Sequence, residues 1–253
     1  MPVSDKPLQH PAGHLNRPAP WKSVWLGLSA ISVMLVLISA LMTPVVLDTV
    51  PEDRSSTLRN YFEVDNEGNL PAWWNSFMLL SAATLLFYAS ALWKWAGRAG
   101  WWRWAGIGLM FAAMSLDEAT RLHERLARLY RLLFGEAPLE HYTWLMLGIP
   151  VALGAVVFLV VLVRGMPSQP RNLLIAGLAV FFTGTVGVEL MQVLTMDYIG
   201  GQHSWPHFAL WHIEELLEKL GSALLVAAAV TAVHDGMRGP LGGTAEISPA
   251  KGQ

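Results

Sequence analysis

Cysteine is absent from this chain of 253 residues, which removes disulfides, cysteine-ligated zinc, iron–sulfur clusters and thiol nucleophiles together. Charge is scarce as well: Asp, Glu, Lys and Arg make up 14% of the residues, against roughly 25% in ordinary soluble proteins. That deficit argues against a free-standing water-soluble enzyme. Neither sign prevails, the formal net charge being −2, so there is no electrostatic footprint for nucleic acid. No repeat period stands out, and no redox motif, phosphate loop or nucleophile elbow is present. What is abundant is apolar side chain, at 53%.

The apolar residues gather into stretches near 24–47, 73–96, 101–117, 142–163, 172–195 and 208–234. Most of these reach the roughly 20 residues that cross about 30 Å of hydrocarbon. They predict an all-α, polytopic integral membrane bundle of about six transmembrane helices. The first run, Val24 to Val46, exceeds the apolar region of about 7–15 residues found in a signal peptide, and no small-x-small site closes it, so it is expected to stay attached. Residues 1–20 carry Pro2, Pro7, Pro11, Pro18 and Pro20 among polar neighbours, a composition that buries too little apolar surface to offset its ordering entropy. They read as a disordered tail, followed by a six-span unit over 21–236 with an outer loop at 48–72, and by a second tail over 237–253.

Orientation follows from Lys and Arg. With the amino terminus cytoplasmic, the inner side holds Lys6, Arg17, Lys22, Lys94, Arg98, Arg103, Arg164, Arg171, Arg238 and Lys251, and the outer side holds Arg54, Arg59, Arg121, Arg125, Arg128 and Arg131. The bias favours both termini inside, as in an integral protein of a bacterial inner membrane. The spacing of Asp117, Arg121, Glu124 and Arg128 predicts a ladder of ion pairs along one face, on a third helix that continues beyond the bilayer. In the outer loop, Glu63, Asp65, Glu67 and Gly68 match the first half of a calcium loop, but Trp74 stands where a bidentate carboxylate is needed. A plain turn, with Pro71 starting the second helix, is the better reading.

An ionisable side chain in hydrocarbon costs about 2.5–3.5 kcal/mol on insertion scales and therefore calls for a partner, a cavity or a role. Under the orientation above, the third span ends outward in Asp117 and Glu118, with His123 and Glu124 just beyond. The fifth carries Thr185, Glu189 and Gln192 near its outer end, and the sixth begins with His207, His212, Glu214, Glu215 and Glu218. Three spans thus bring polar residues to one depth. His212 and Glu215 repeat the carboxylate-histidine spacing of di-metal helix bundles, in reversed order. Glu118, Glu189, His212, Glu215 and Glu218 are candidate ligands for a divalent iron, manganese or zinc ion. His123 and Glu124 are candidate proton relays in catalysis. The plainer alternative pairs Glu214 and Glu218 with Arg121 or Arg125 and lets Lys219 snorkel. The tryptophans, including Trp73, Trp74, Trp101, Trp102, Trp104, Trp144, Trp205 and Trp211, read as an aromatic belt. Ser115 and Ser222 lack a neighbouring base, and Gly106, Gly108, Gly184 and Gly187 read as helix contacts.

Leu116-Asp117-Glu118 and Trp211-His212, followed by Gly221-Ser222, resemble segments of the alkaline ceramidase group of membrane hydrolases. The resemblance implies a metal hydrolase in which three histidines hold a zinc ion. It covers about 20 residues and departs from the family where no histidine precedes Asp117 and where His207 and His212 stand five apart, off one helical face. The chain as a whole resembles bacterial multi-pass membrane proteins. Membrane lipid is the expected partner, with a homo-oligomer or a larger membrane complex also compatible. Two function classes remain open from the sequence. One is a metal-dependent enzyme acting on a lipid-like substrate; the other is a proton or cation conduit, or a structural membrane subunit with a buried ion-pair network.

Overall fold

The computed structural model describes residues 19–49, 60–64, 66, 68–135, 143, 145–195 and 204–241, with the side chains of 43–49, 123, 124, 145 and 239–241 left out. Among these residues all regular structure is helical. The helices are α1 (Trp21–Thr49), α2 (Leu70–Trp95), α3 (Trp101–Thr120), α4 (Leu122–Phe134), α5 (Leu145–Val163), α6 (Ser168–Phe182), α7 (Glu189–Thr195) and α8 (Trp205–Leu241), and a π-helical turn, Thr183–Val188, joins α6 to α7. The all-α class expected from the sequence is therefore the one found.

Among the described residues, five segments are long and apolar enough to cross a membrane: Trp21–Met42, Leu70–Trp95, Met146–Val163, Ser168–Thr195 and Trp205–Arg238. The sixth expected stretch, α3, is helical over 20 residues but is not among them. The reason lies at its two ends, where Trp101, Trp102, Arg103 and Trp104 on one side and Asp117 and Glu118 on the other dilute the apolar centre.

The start of α2 is set by local chemistry. Asn69 caps it, its Oδ1 accepting from the Ala72 amide at 3.2 Å, and Pro71 sits in the first turn, where a missing N–H costs nothing. Asn69 Nδ2 also donates to the Glu63 carbonyl at 2.6 Å, and Asn66 Nδ2 to the Glu63 carboxylate at 2.8 Å. Glu63 thus closes a turn, as the plainer sequence reading has it; Asp65 and Glu67 lie outside the described residues.

Packing is organised around α8. In its most apolar stretch 72% of the residues are buried, against at most 39% in the other membrane-length segments. It is flanked by α1, α2 and α6, while α3 lies along α2. The core stacks Met78, Leu79, Ala82 and Leu86 of α2 against Trp104, Ile107 and Phe111 of α3, with Leu174, Leu178 and Phe181 of α6 meeting Ala223, Leu225, Ala228 and Ala232 of α8. Trp104 is therefore a core residue and no part of a belt; its ring packs 5.6 Å from that of Trp93. Ser115, one of the two serines judged to lack a base, is structural. Ser76 and Ser115 each donate to the other's carbonyl, at 3.0 and 2.9 Å, which fixes α2 and α3 in register. Large apolar side chains instead cover the outside, among them Met34, Leu37 and Leu41 of α1 and Val151, Leu153 and Val157 of α5.

The third helix does not run on. Arg121 adopts φ 55, ψ 47, ending α3 and starting α4, so Asp117, Arg121, Glu124 and Arg128 do not share one continuous helical face. A left-handed conformation costs a non-glycine residue about 1–2 kcal/mol, which tertiary contacts must offset.

Small residues set the closest approach. A Cβ on Gly221 of α8 would lie 2.7 Å from the Phe181 amide nitrogen and 2.8 Å from the Gly177 carbonyl oxygen. Gly106, Gly108 and Gly184 are similarly crowded, whereas Gly187 is not, its nearest neighbour being 3.8 Å away. Because the atoms facing Gly221 belong to backbone, they cannot swing aside. Gly221→Ala is expected to destabilise the protein by about 1–3 kcal/mol, while Gly27→Ala, which lies inside α1 and meets nothing within 4 Å, is expected to stabilise it slightly, by at most about 1 kcal/mol. Thermal unfolding of the two purified variants in detergent checks the contrast.

Candidate functional site

The polar side chains of α8 face three neighbours in turn. In the first turns of the helix, His207 is buried against Trp211, and His212 follows, its Nδ1 2.8 Å from the Phe208 carbonyl one turn back, so that this nitrogen carries the proton. Its Nε2 is 3.2 Å from Ser39 Oγ of α1, and the same hydroxyl accepts the Val64 amide at 3.1 Å. The Ser39 proton is then directed to Nε2. Both ring nitrogens are occupied, and the imidazole ties α1, α8 and the turn before α2 together.

One turn further, Glu214 and Glu218 face the segment that joins α6 to α7. Gln192 Nε2 donates to Glu214 Oε2 at 2.5 Å, and Gln192 is itself buried. Thr185 Oγ1 lies within hydrogen-bond reach of both the Phe181 carbonyl, at 3.2 Å, and the Glu218 carboxyl group. Glu189 is close enough to Glu214 to act on it electrostatically. The π-helical turn makes this fit possible. At Gly184 a Cβ would stand 2.8 Å from the Glu214 carbonyl oxygen and 3.1 Å from Glu218 Cγ. Only glycine allows so close an approach, and the wide turn that follows delivers Glu189 and Gln192 to α8.

On the opposite side Lys219, with no exposed surface, forms an ion pair with Glu215 one turn before it. Glu118 of α3 lies within electrostatic range of both Lys219 and Glu218. Below this pair Ser222 Oγ donates to Asn75 Oδ1 of α2 at 2.7 Å, both residues being fully buried, and the Asn75 amide nitrogen has no protein partner.

Four of the five residues singled out as ligands, Glu118, Glu189, Glu215 and Glu218, thus belong to one charged network on three helices. His212 stands apart from it, engaged by Ser39 and Phe208. The side chains of His123 and Glu124, at the start of α4, lie outside the described residues. Among the described residues no group of three or more His, Asp or Glu side chains is arranged to hold a metal ion.

Two features went unread in the sequence. Lys219 does not snorkel but sits at the centre of the acidic cluster, and its position four residues after Glu215 was the available signal. Glu214 takes an amide from Gln192 and not an arginine, and these two residues meet through the bulge at Gly184. Removing one partner of a buried ion pair strands the other and costs about 3–5 kcal/mol. Lys219→Met should therefore destabilise strongly, and Lys219→Met combined with Glu215→Gln should recover part of the loss. A double-mutant cycle on unfolding in detergent measures this coupling, and additive effects would show that the pair contributes nothing.

Residues 21–233 match the family described as "Domain of unknown function (DUF8692)". No curated protein and no solved structure matches the chain. The match runs from the first residue of α1 into the last turns of α8, and so takes in the whole charged network together with the helices that support it. The chain belongs to the DUF8692 family.

Proposed function

We propose that this protein is an integral membrane helix bundle that binds and passes protons or small cations through a carboxylate–lysine cluster set among its helices. The observation that carries the reading is charge balance around Lys219. One buried ammonium faces Glu215, Glu118 and Glu218, and Glu214 and Glu189 stand alongside. Glu214, Glu215 and Glu218 gather about this single ammonium on the same helix, and a low-dielectric interior holds three carboxyl groups beside one ammonium only when protons or a cation balance them. A site that must exchange such species to stay neutral has the basic property of a conduit.

The membrane setting is supported by the five long apolar segments and by the apolar exterior of α1 and α5, since water-soluble surfaces rarely leave such large apolar patches open. We count α3 as a sixth span, because it packs along α2 from Ser76 to Ser90 and its charged end belongs to the same cluster. In this arrangement both termini are cytoplasmic and the cluster is in the outer half of a bacterial inner membrane. Reporter fusions after Arg98 and after Arg171 are expected to report the cytoplasm and a fusion at Asn66 the outside; the reverse pattern would overturn the orientation.

A divalent metal enzyme acting on a lipid-like substrate, as the ceramidase resemblance implies, is the second reading. The donors fit it less well. Both nitrogens of His212 are hydrogen-bonded, and an ammonium already occupies the centre of the carboxylates. Oxygen donors alone leave room for a hard cation, but not for the histidine-ligated zinc of that family.

Reconstitution separates these readings. In liposomes containing a pH-sensitive dye and driven by a potassium diffusion potential, the wild type should acidify or alkalinise the lumen, and Glu218→Gln should lose most of that flux while remaining folded. Flux equal to that of empty liposomes would refute the proton reading, and repetition with sodium or potassium indicators tests small cations. Stoichiometric zinc, iron or manganese in the purified wild type, lost in Glu215→Gln, would favour the metal centre instead.

A further inference from the structure

The break at Arg121 sets α4 apart from the helix before it. Its 13 residues, Leu122–Phe134, extend about 20 Å at 1.5 Å per residue, too short to cross a bilayer. Its sequence is strongly two-sided. At 100° per residue Leu122, Leu126, Leu129 and Leu133 share one face, while Arg125, Arg128 and Arg131 run along the flank and back. The leucine face is not spent on the bundle. α4 touches chiefly α5 and the end of α3, and on the leucine face Leu122, Leu129 and Leu133 remain 39%, 42% and 61% exposed. All three arginines are exposed too.

A free leucine face beside a row of guanidinium groups has a definite complement. The apolar side calls for the acyl boundary of a membrane. The basic side calls for phosphate, which arginine binds in a two-pronged geometry that ammonium groups cannot copy. The left-handed residue supplies the third requirement, a change of direction where a helix that runs across the membrane gives way to one that does not. From these observations we infer that α4 lies in the plane of the membrane surface and docks on anionic phospholipid headgroups through Arg125, Arg128 and Arg131, with its leucine face at the acyl boundary. The inference rests on the membrane reading above, though not on conduction of any ion.

The absence of native cysteine makes the test direct, because a single introduced cysteine labels one position. Nitroxide labels at Leu133→Cys and, as a control on the apolar exterior of α5, at Val157→Cys are placed on the full chain in nanodiscs. The discs contain either phosphatidylcholine or phosphatidylcholine mixed with phosphatidylglycerol. Collision with oxygen reports lipid, and collision with a water-soluble nickel chelate reports water. In the mixed discs the Leu133 label should be accessible to oxygen and shielded from nickel. It should be less shielded in pure phosphatidylcholine, and combined Arg125→Gln, Arg128→Gln and Arg131→Gln should abolish the difference between the two lipids. A Leu133 label open to nickel in both discs, with the Val157 label in lipid, overturns the inference and leaves an acidic protein surface as the complement of the arginines. A label equally shielded in both discs overturns the role of anionic headgroups. A Val157 label open to nickel overturns the membrane reading itself. Unchanged helicity of the arginine variant by circular dichroism shows that any loss is one of docking and not of folding.

Discussion

An ammonium group with no water around it must be answered by its neighbours, and at Lys219 this requirement organises much of the molecule. The lysine lies on α8, the most enclosed of the described membrane-length helices, so it cannot bend its four-carbon stem toward solvent. Glu215 answers it from the preceding turn of the same helix, and Glu118 does so from the end of α3. Both helices are therefore held in rotation as well as in position. A turn of α8 by even one residue would carry Lys219 out of register with Glu118 and would part Ser222 from Asn75. Replacing the ion pair with apolar groups of like volume is often harmless in other proteins.

The same helix shows how space is divided between packing and polarity. In its second half, Ala223, Ala227, Ala228, Ala229 and Ala232 are all fully buried, and their small side chains bring α2 and α6 close. In its first half the neighbours must stand off far enough for carboxylates yet touch at Gly184. A regular α-helix cannot meet both demands in one stretch. The π-helical turn over Thr183–Val188 does so, since the extra residue in the turn lets the chain press against the Glu214 backbone and then present Glu189 and Gln192 sideways.

Much of this could be read without coordinates. Pro71 after Asn69 marked the start of α2, and charged residues inside apolar stretches marked Glu118, Glu189, Glu215 and Glu218, because an acid in such a setting needs a reason. Their common depth followed from topology alone. The burial of Lys219 did not follow, since a lysine near the end of a span either snorkels or is enclosed, and the choice depends on how many helices surround it. The bulge at Gly184 is equally hidden, being fixed by a carbonyl some thirty residues later in the chain. The partnership of His212 with Ser39 spans 173 residues of sequence. The break at Arg121 defies local preference, because an arginine accepts a left-handed backbone only when the surroundings impose it.

The position of α8 at the carboxyl-terminal end of the bundle has a consequence for synthesis. Ribosomes deliver a chain from its amino terminus, so α2 and α3, joined by a short connection and locked by Ser76 and Ser115, are complete long before Lys219 is made. Glu118 is made before Lys219, the cation that later faces it, and Asn75 before its serine. The nascent bundle is least comfortable just before α8 arrives. Arrival of α8 fills the centre, supplies the positive charge and closes the polar gaps in a single event. Assembly of the bundle centre is thereby concentrated in one late step, and a chain released before it would leave the apolar faces of α2 and α6 uncovered, a mark of incompleteness that cellular proteases can read.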